Sequence, residues 1–180
     1  SETDARGNTT YYTYDANNNC TEKTDAMGNT VYMRYDSMNR MVEAYRMVGT
    51  EKYSVSYEYN NMGQVTRTVD EEGNAKAVTY DGDGNILTMT DAMGNIIKEN
   101  TYDSMNRTSE VKDALGNITS YKYDEAGRLK DTIMYLNTQS QRTYSYGYDS
   151  LGRNNKVTDP SDGTTSCTYD SRGNIETMTD

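Results

Sequence analysis

Residues 79–107 read TYDGDGNILTMTDAMGNIIKENTYDSMNR. Three times in this stretch an Asp is followed, three positions on, by Gly or Asn: Asp81 by Gly84, Asp91 by Gly94, and Asp103 by Asn106. An Asp opening a type I turn accepts backbone N–H bonds through its carboxylate, and the fourth residue must then take positive φ to close a bulge into the returning strand. Gly does so without steric cost, and Asn tolerates it best after Gly. The stretch therefore reads as three chain reversals joined by short strands.

The same five-residue word runs through all 180 residues. Asp25 with Gly28, Asp36 with Asn39, Asp113 with Gly116, Asp124 with Gly127, Asp149 with Gly152 and Asp170 with Gly173 repeat it, and Asp4, Asp15, Asn60 and Asp70 open further copies. Asp159 opens a variant read with one extra residue, which would put Gly163 in the left-handed position. The starts lie about 10 or 11 residues apart, the strand-plus-turn spacing of all-β chains and too short for a unit containing a helix. The expected fold is all-β, an antiparallel tandem β-hairpin array forming a curled or spiralling sheet of about 16 strands, which would extend further than open sheets usually do without curling.

Alternate turns differ in what precedes them. Tyr14, Tyr35, Tyr59, Tyr80, Tyr102, Tyr123, Tyr148 and Tyr169 stand immediately before every second turn. In an up-and-down meander alternate turns fall on opposite rims, so the eight Tyr are expected in a row along one rim, with a hairpin of about 21 residues as the repeating unit. Strand alternation groups Tyr12 with Tyr14, Val31 and Met33 with Tyr35, Tyr57 with Tyr59, Tyr121 with Tyr123 and Tyr146 with Tyr148 on one mildly apolar face, leaving Thr, Arg, Glu and Lys for the other. Two units, 36–60 and 124–149, are longer. Their extra reversals are expected at Val48-Gly49-Thr50 and Asn137-Thr138-Gln139, and the long units recur after about 88 residues, as a duplication or as a structural period.

Composition narrows the function. Scarce aliphatic residues and a net charge of −10 would ordinarily indicate disorder, but 18 Tyr and 11 Met supply packable surface. The acidic balance argues against nucleic acid as a partner, and no apolar run is long enough for membrane insertion. With no His and only Cys20 and Cys167, the usual zinc, haem and iron–sulfur ligand sets cannot be assembled, so neither metal nor cofactor is expected and the thiols are read as unpaired. Asp81-Gly82-Asp83-Gly84-Asn85 spaces oxygens as a calcium loop does, but Ile86 stands where Gly is needed and Ala92 where the closing Glu belongs. The sequons at Asn8, Asn19, Asn106 and Asn117 are what chance gives in a chain rich in Asn and Thr. Nearly every Asp is already used by a turn, so no catalytic residue is assigned and the chain is not read as an enzyme.

The words Tyr35-Asp36-Ser37-Met38-Asn39-Arg40, Tyr102-Asp103-Ser104-Met105-Asn106-Arg107, Tyr123-Asp124-Glu125-Ala126-Gly127-Arg128-Leu129 and Tyr148-Asp149-Ser150-Leu151-Gly152-Arg153 resemble the YD repeat of the RHS family. The resemblance covers essentially the whole chain. It implies a long sheet of hairpins spiralling into a hollow shell, as in bacterial polymorphic toxins, insecticidal toxin complexes and teneurins. The family's self-cleaving core segment has no match here. On this reading residues 1–180 are an internal array of a larger secreted or cell-surface bacterial protein, serving as scaffold, with a closed shell and a filament both open. The partners implied are further YD repeats of the same chain, an enclosed toxin domain or neighbouring copies. A carbohydrate-binding adhesin using the Tyr row to stack on glycans is the rival.

Overall fold

The computed structural model describes residues 1–136 and 140–180, and these residues form an all-β chain. Two compact units divide it at residues 96 and 97. The first holds β1 (Glu2–Thr3), β2 (Thr9–Tyr14), β3 (Cys20–Thr24), β4 (Thr30–Tyr35), β5 (Met41–Val48), β6 (Glu51–Tyr59), β7 (Val65–Val69), β8 (Ala75–Tyr80) and β9 (Ile86–Thr90). The second holds β10 (Ile96–Tyr102, its first residue closing the first unit), β11 (Thr108–Asp113), β12 (Ile118–Tyr123), β13 (Leu129–Leu136), β14 (Ser140–Tyr148), β15 (Asn154–Thr158), β16 (Thr164–Tyr169) and β17 (Ile175–Thr179). Within each unit the ladders are antiparallel and join strands consecutive in sequence, the hairpin array that the turn spacing predicts.

One turn geometry serves throughout. At Asp91, the Gly94 N–H donates to the Asp91 carbonyl at 3.1 Å and the Asp91 N–H donates to the Asn95 carbonyl at 2.9 Å. The Asp91 carboxylate then takes the Met93 and Asn95 N–H groups on a single oxygen, at 2.9 and 2.8 Å. Gly94 holds φ at 83°, and positive φ recurs at the fourth position of thirteen of the fourteen turns at the residue the word assigns. The remaining turn corrects the sequence reading. Asp159 opens a turn of ordinary length in which Asp162 donates to the Asp159 carbonyl and carries the left-handed φ of 66°, while Gly163 is the fifth residue. Asp, with a short polar side chain, is among the few residues that visit this region. In the other turns the fifth residue is Asn, Arg or Gln; here the Asp159 carboxylate lies over Gly163, an oxygen 2.6 Å from where a Cβ would stand.

In the first long unit Val48 pairs with Glu51, so Gly49-Thr50 is a two-residue hairpin with Gly49 at φ 61°, at the expected place. The other expected reversal, at 137–139, lies outside the described residues.

Neither unit is organised around an apolar core. Among the described residues only Ile133, Asn100 and Thr132 are buried. A sheet wet on both sides has little use for Leu, Ile or Phe, which accounts for their scarcity. The division of the faces is also looser than alternation alone suggests. Pairing puts Lys23 and Arg46 on the face of Tyr12, Val31 and Tyr53, while Tyr32 and Tyr45 stack at 5.0 Å on the other, where Arg34 and Lys52 lie over Tyr45 and pair with Glu43. With no dry side to exclude charge, aromatic rings and cations pair on either face.

The two rims differ in a way the sequence did not disclose. Beside each of the eight row Tyr the ladder slips by one residue, so that Tyr14, for example, opposes Cys20 while Thr13 opposes Glu22. On the opposite rim the pairs Thr24–Thr30, Val69–Ala75 and Thr158–Thr164 reach their turns without a slip. Bulges bend and twist the strand that carries them, and within each unit they lie on one rim.

The turn geometry makes a sharp contrast between adjacent residues. Gly94→Val should destabilise the turn between β9 and β10 by about 1–2 kcal/mol or more, because a β-branched residue is forced to positive φ. Met93→Ala, at an exposed turn tip, should stay within about 0.5 kcal/mol. Urea midpoints of the two variants check this, and equal shifts would count against the geometry.

Candidate functional site

The Tyr rim is where side chains converge. The β3–β4 ladder runs from Thr24–Thr30 to Glu22–Tyr32 and stops, so that at the rim Cys20 and Tyr35 are paired to β2 and β5 but no ladder pair joins β3 to β4. The Tyr35 hydroxyl bridges that gap, donating to the Cys20 carbonyl at 2.9 Å. Tyr59 does the same to Met41 (2.6 Å), Tyr80 to Val65 (2.8 Å), Tyr123 to Thr108 (2.8 Å), Tyr148 to Leu129 (2.7 Å) and Tyr169 to Asn154. Each acceptor is the first residue after the preceding turn of the same rim. Burial pushes the Tyr35 and Tyr123 phenols above their ordinary value, so both remain protonated donors. Tyr14, more than half exposed, has no hydrogen-bond partner for its hydroxyl among the described residues.

A second set of contacts runs the other way. The fifth residue of a Tyr-rim turn is Arg at Arg40, Arg107, Arg128 and Arg153. The Arg128 guanidinium forks onto Asp124, with Nε at 2.8 Å and Nη2 at 2.7 Å, and lies over the Tyr148 ring of the next turn, 4.5 Å from its centre. Arg40 reaches Tyr59 (4.7 Å), Arg107 reaches Tyr123 (4.2 Å) and Arg153 reaches Tyr169 (4.4 Å). Arg40 also donates to the Asn60 carbonyl at 2.9 Å. Where this position is not Arg, an amide substitutes: Asn19 donates to Asn39, and Gln64 to the Gly84 carbonyl. The Asp36, Asn60, Asp124 and Asp149 turns are thus tied backward by a phenol and forward by a cation or an amide.

The turn carboxylates are held as anions. The side-chain N–H of the fifth residue keeps Asp25, Asp81, Asp91, Asp113 and Asp170 (through Asn) and Asp36, Asp103 and Asp124 (through Arg) below the usual carboxylate value, and backbone N–H groups add to this. At Asp149 the largest influence is burial, which raises it, yet the backbone and side-chain N–H groups of Arg153 still leave it lowered. Among the described residues no His, Cys, Asp or Glu cluster is arranged to hold a metal, and the carboxylates are occupied by backbone N–H groups. What the arrangement can do is fasten hairpin to hairpin. Sequence reasoning placed the row but missed both fastenings. The available signal was that Arg takes the fifth position only in turns preceded by Tyr.

Two measurements address this rim. Tyr148→Phe should cost about 1 kcal/mol by leaving the Leu129 carbonyl without its donor, whereas Tyr121→Phe, whose hydroxyl has no hydrogen-bond partner among the described residues, should be near neutral; chemical denaturation of both variants decides. Stability should also depend on pH in one direction. The Asp side chains are lowered relative to 3.8 on folding, so their contribution is complete above that value and is lost as pH falls through the lower folded values, where the unfolded chain binds more protons. Acid titration of the folded signal should show this loss, and Asp124→Asn should reduce its steepness.

The comparisons with known proteins agree with this geometry. A family model described as the teneurin YD-shell matches residues 30–115 and 98–179, and one described as the RHS repeat matches residues 1–30. No curated protein matches. Among solved structures, a TcdB2–TccC3–Cdc42 crystal structure matches with a TM-score of 0.74 and 17% identity, over 94% of this chain and 10% of that one. TcdB2–TccC3 without its hypervariable C-terminal region matches with a TM-score of 0.75 and 15% identity, over 92% of this chain and 10% of that one. A Tc holotoxin pore of Photorhabdus luminescens matches with a TM-score of 0.62 and 13% identity, over 94% and 12% of the two chains. The chain spans about a tenth of the length of these structures. At such identities the likeness is one of fold, and with the family models accounting for the sequence, the chain belongs to the YD-shell family of RHS-repeat proteins.

Proposed function

We propose that this chain is a stretch of structural wall: an internal YD-repeat array of a larger secreted or surface-exposed bacterial protein, enclosing a C-terminal cargo such as a toxin domain. The observation that carries the reading is the fastening of the Tyr rim, which within each unit ties neighbouring hairpins through Tyr hydroxyls and Arg guanidinium groups. The turn Asp, the left-handed Gly or Asn and the Tyr row are fasteners in this account, and none has a chemical role. Short turns provide few loops from which a substrate cleft is built. Likeness to TcdB2–TccC3 without its hypervariable C-terminal region supports placing the array in the enclosing part of such a protein. Its partners are then adjoining YD repeats, the enclosed domain or neighbouring copies.

The adhesin reading is less well supported, because Tyr59, Tyr123, Tyr148 and Tyr169 already carry an Arg over the ring and a sugar would have to displace it. A glycan array is expected to show no saturable binding that depends on these Tyr. The wall reading is tested by limited proteolysis of the complete polypeptide during urea unfolding. The segment adjoining the array should resist protease until the β-sheet signal is lost, with coincident transitions. Cleavage of that segment while the sheet is intact would overturn enclosure.

A further inference from the structure

The two long hairpins, one in each unit, leave matching notches and fill them differently. Both project past the neighbouring turn: β6 is laddered to β7 only from Ser56–Val69 onward, and β14 to β15 only from Ser145–Thr158. In the first unit the chain itself closes the notch beside the Asp70 turn. Glu71, the second residue of that turn, pairs with Arg46 at 2.8 Å, and the Arg46 guanidinium rests over the ring of Tyr53 opposite it, 4.7 Å from its centre. A hollow of about 110 Å³ remains there. In the second unit Met134 and Arg142 are the opposed pair where the first has Arg46 and Tyr53, and Pro160 follows Asp159 where Glu71 follows Asp70. A cation is again present, but the turn no longer supplies the acid that meets it. The notch left open measures about 480 Å³ and is lined by Gln141, Arg142, Tyr144, Asp159, Pro160 and Ser161. Among the described residues no carboxylate pairs with Arg142, and one oxygen of Asp159 is taken by the Ser161 and Gly163 N–H groups.

Backbone groups are unpaired at the same place. The Asp159 N–H donates to the Gly163 carbonyl, toward β16, so Thr158 faces β14 and forms a hydrogen-bonded pair with Ser145. By alternation Thr143 and Gln141 turn their N–H and C=O groups outward beyond the end of β15, where no strand of the described residues pairs with them. We propose that this notch takes an extended peptide of a partner protein, added to β14 as an antiparallel strand along the line that β15 leaves at Asp159, with an acidic side chain opposite Arg142. The peptide residue before the acid opposes Thr143 and the one after it opposes Gln141, both in hydrogen-bonded pairs. The acid, in the intervening pair, shares the face of Arg142 and stands at the closer spacing. Main-chain bonds supply the attachment and the side-chain pair the choice of partner, as in other strand additions. The chain's own first unit shows the same pairing of acid with cation, through Glu71 and Arg46. With a net charge of −10 on the chain, a single acid held at Arg142 is favoured over a run of acids, which the overall field repels. The inference rests on the second long hairpin and not on the enclosing role, which its failure would leave untouched.

Fluorescence anisotropy of a labelled, end-capped, net-neutral peptide, Lys-Thr-Val-Glu-Val-Thr, titrated with the complete polypeptide tests it. Binding should saturate. Methylation of either Val nitrogen should abolish it, because those N–H groups face β14, whereas methylation of the Glu nitrogen, which faces away, should leave it in place. Arg142 is exposed, so Arg142→Gln should fold as the parent does and weaken binding about threefold, the loss of one cross-strand charge pair. Replacing the peptide's Glu with Gln should cost the same, and the two changes together no more than either alone. Absence of saturable binding would overturn the proposal. So would equal binding of all the methylated peptides, which would mean an anion site without strand addition, or an unchanged affinity in Arg142→Gln, which would put the peptide elsewhere on the molecule.

Discussion

The structure depends on the side-chain oxygen, of Asp in thirteen of the fourteen repeated turns and of Asn60 in the other, that closes the reversal. One oxygen collects two backbone N–H groups that a tight reversal would otherwise leave without partners, and the other takes the side chain of the fifth residue, as Asp91 does with Asn95 and Asp124 with Arg128. In a protein with a dry core, strand register follows from which residues must be buried. Here almost nothing is buried, so register is set locally, turn by turn, and an error in one turn would pass to the next strand. The near invariance of the turn is therefore a structural requirement, and Asp162 shows how narrow its latitude is: another short polar residue serves where Gly or Asn is absent.

Turns alone would give hairpins that are well formed singly and poorly joined to one another. Between neighbouring hairpins the β3–β4, β7–β8, β11–β12 and β15–β16 ladders are three pairs long and stop short of the Tyr rim. The bulges on that rim add a residue where the ladder has already ended. A phenol is long enough to reach across from one hairpin to the carbonyl of the last, and its ring offers a face on which the preceding Arg can rest. The same Arg neutralises the turn Asp. One rim is accordingly tied by long side chains, while the other, whose fifth residue is Asn or Gly, closes through the backbone ladder.

Both sheet faces carry charge as well as aromatic rings, and this too follows from the absence of a core. Stacking of Tyr32 on Tyr45, with Arg34 and Lys52 over the ring and Glu43 between them, is an arrangement in water, stable through many small contacts. Stability of this kind accumulates with the number of neighbouring units, as in repeat proteins generally.

The sequence by itself determined the all-β hairpin array, the place of nearly every turn, the left-handed residue in thirteen of them and the existence of a Tyr row, because these follow from backbone sterics within five residues and from alternation along a strand. It also carried the family, through words such as Tyr148-Asp149-Ser150-Leu151-Gly152-Arg153. Only the tertiary structure decided what the row is for. The hydroxyl of Tyr35 and the carbonyl of Cys20, or the guanidinium of Arg128 and the ring of Tyr148, meet through pairing between strands, and no local rule states how far a ladder runs before it stops. The bulge beside each Tyr and the burial of so little surface were likewise hidden, since register slips and solvent exposure are properties of strands set side by side.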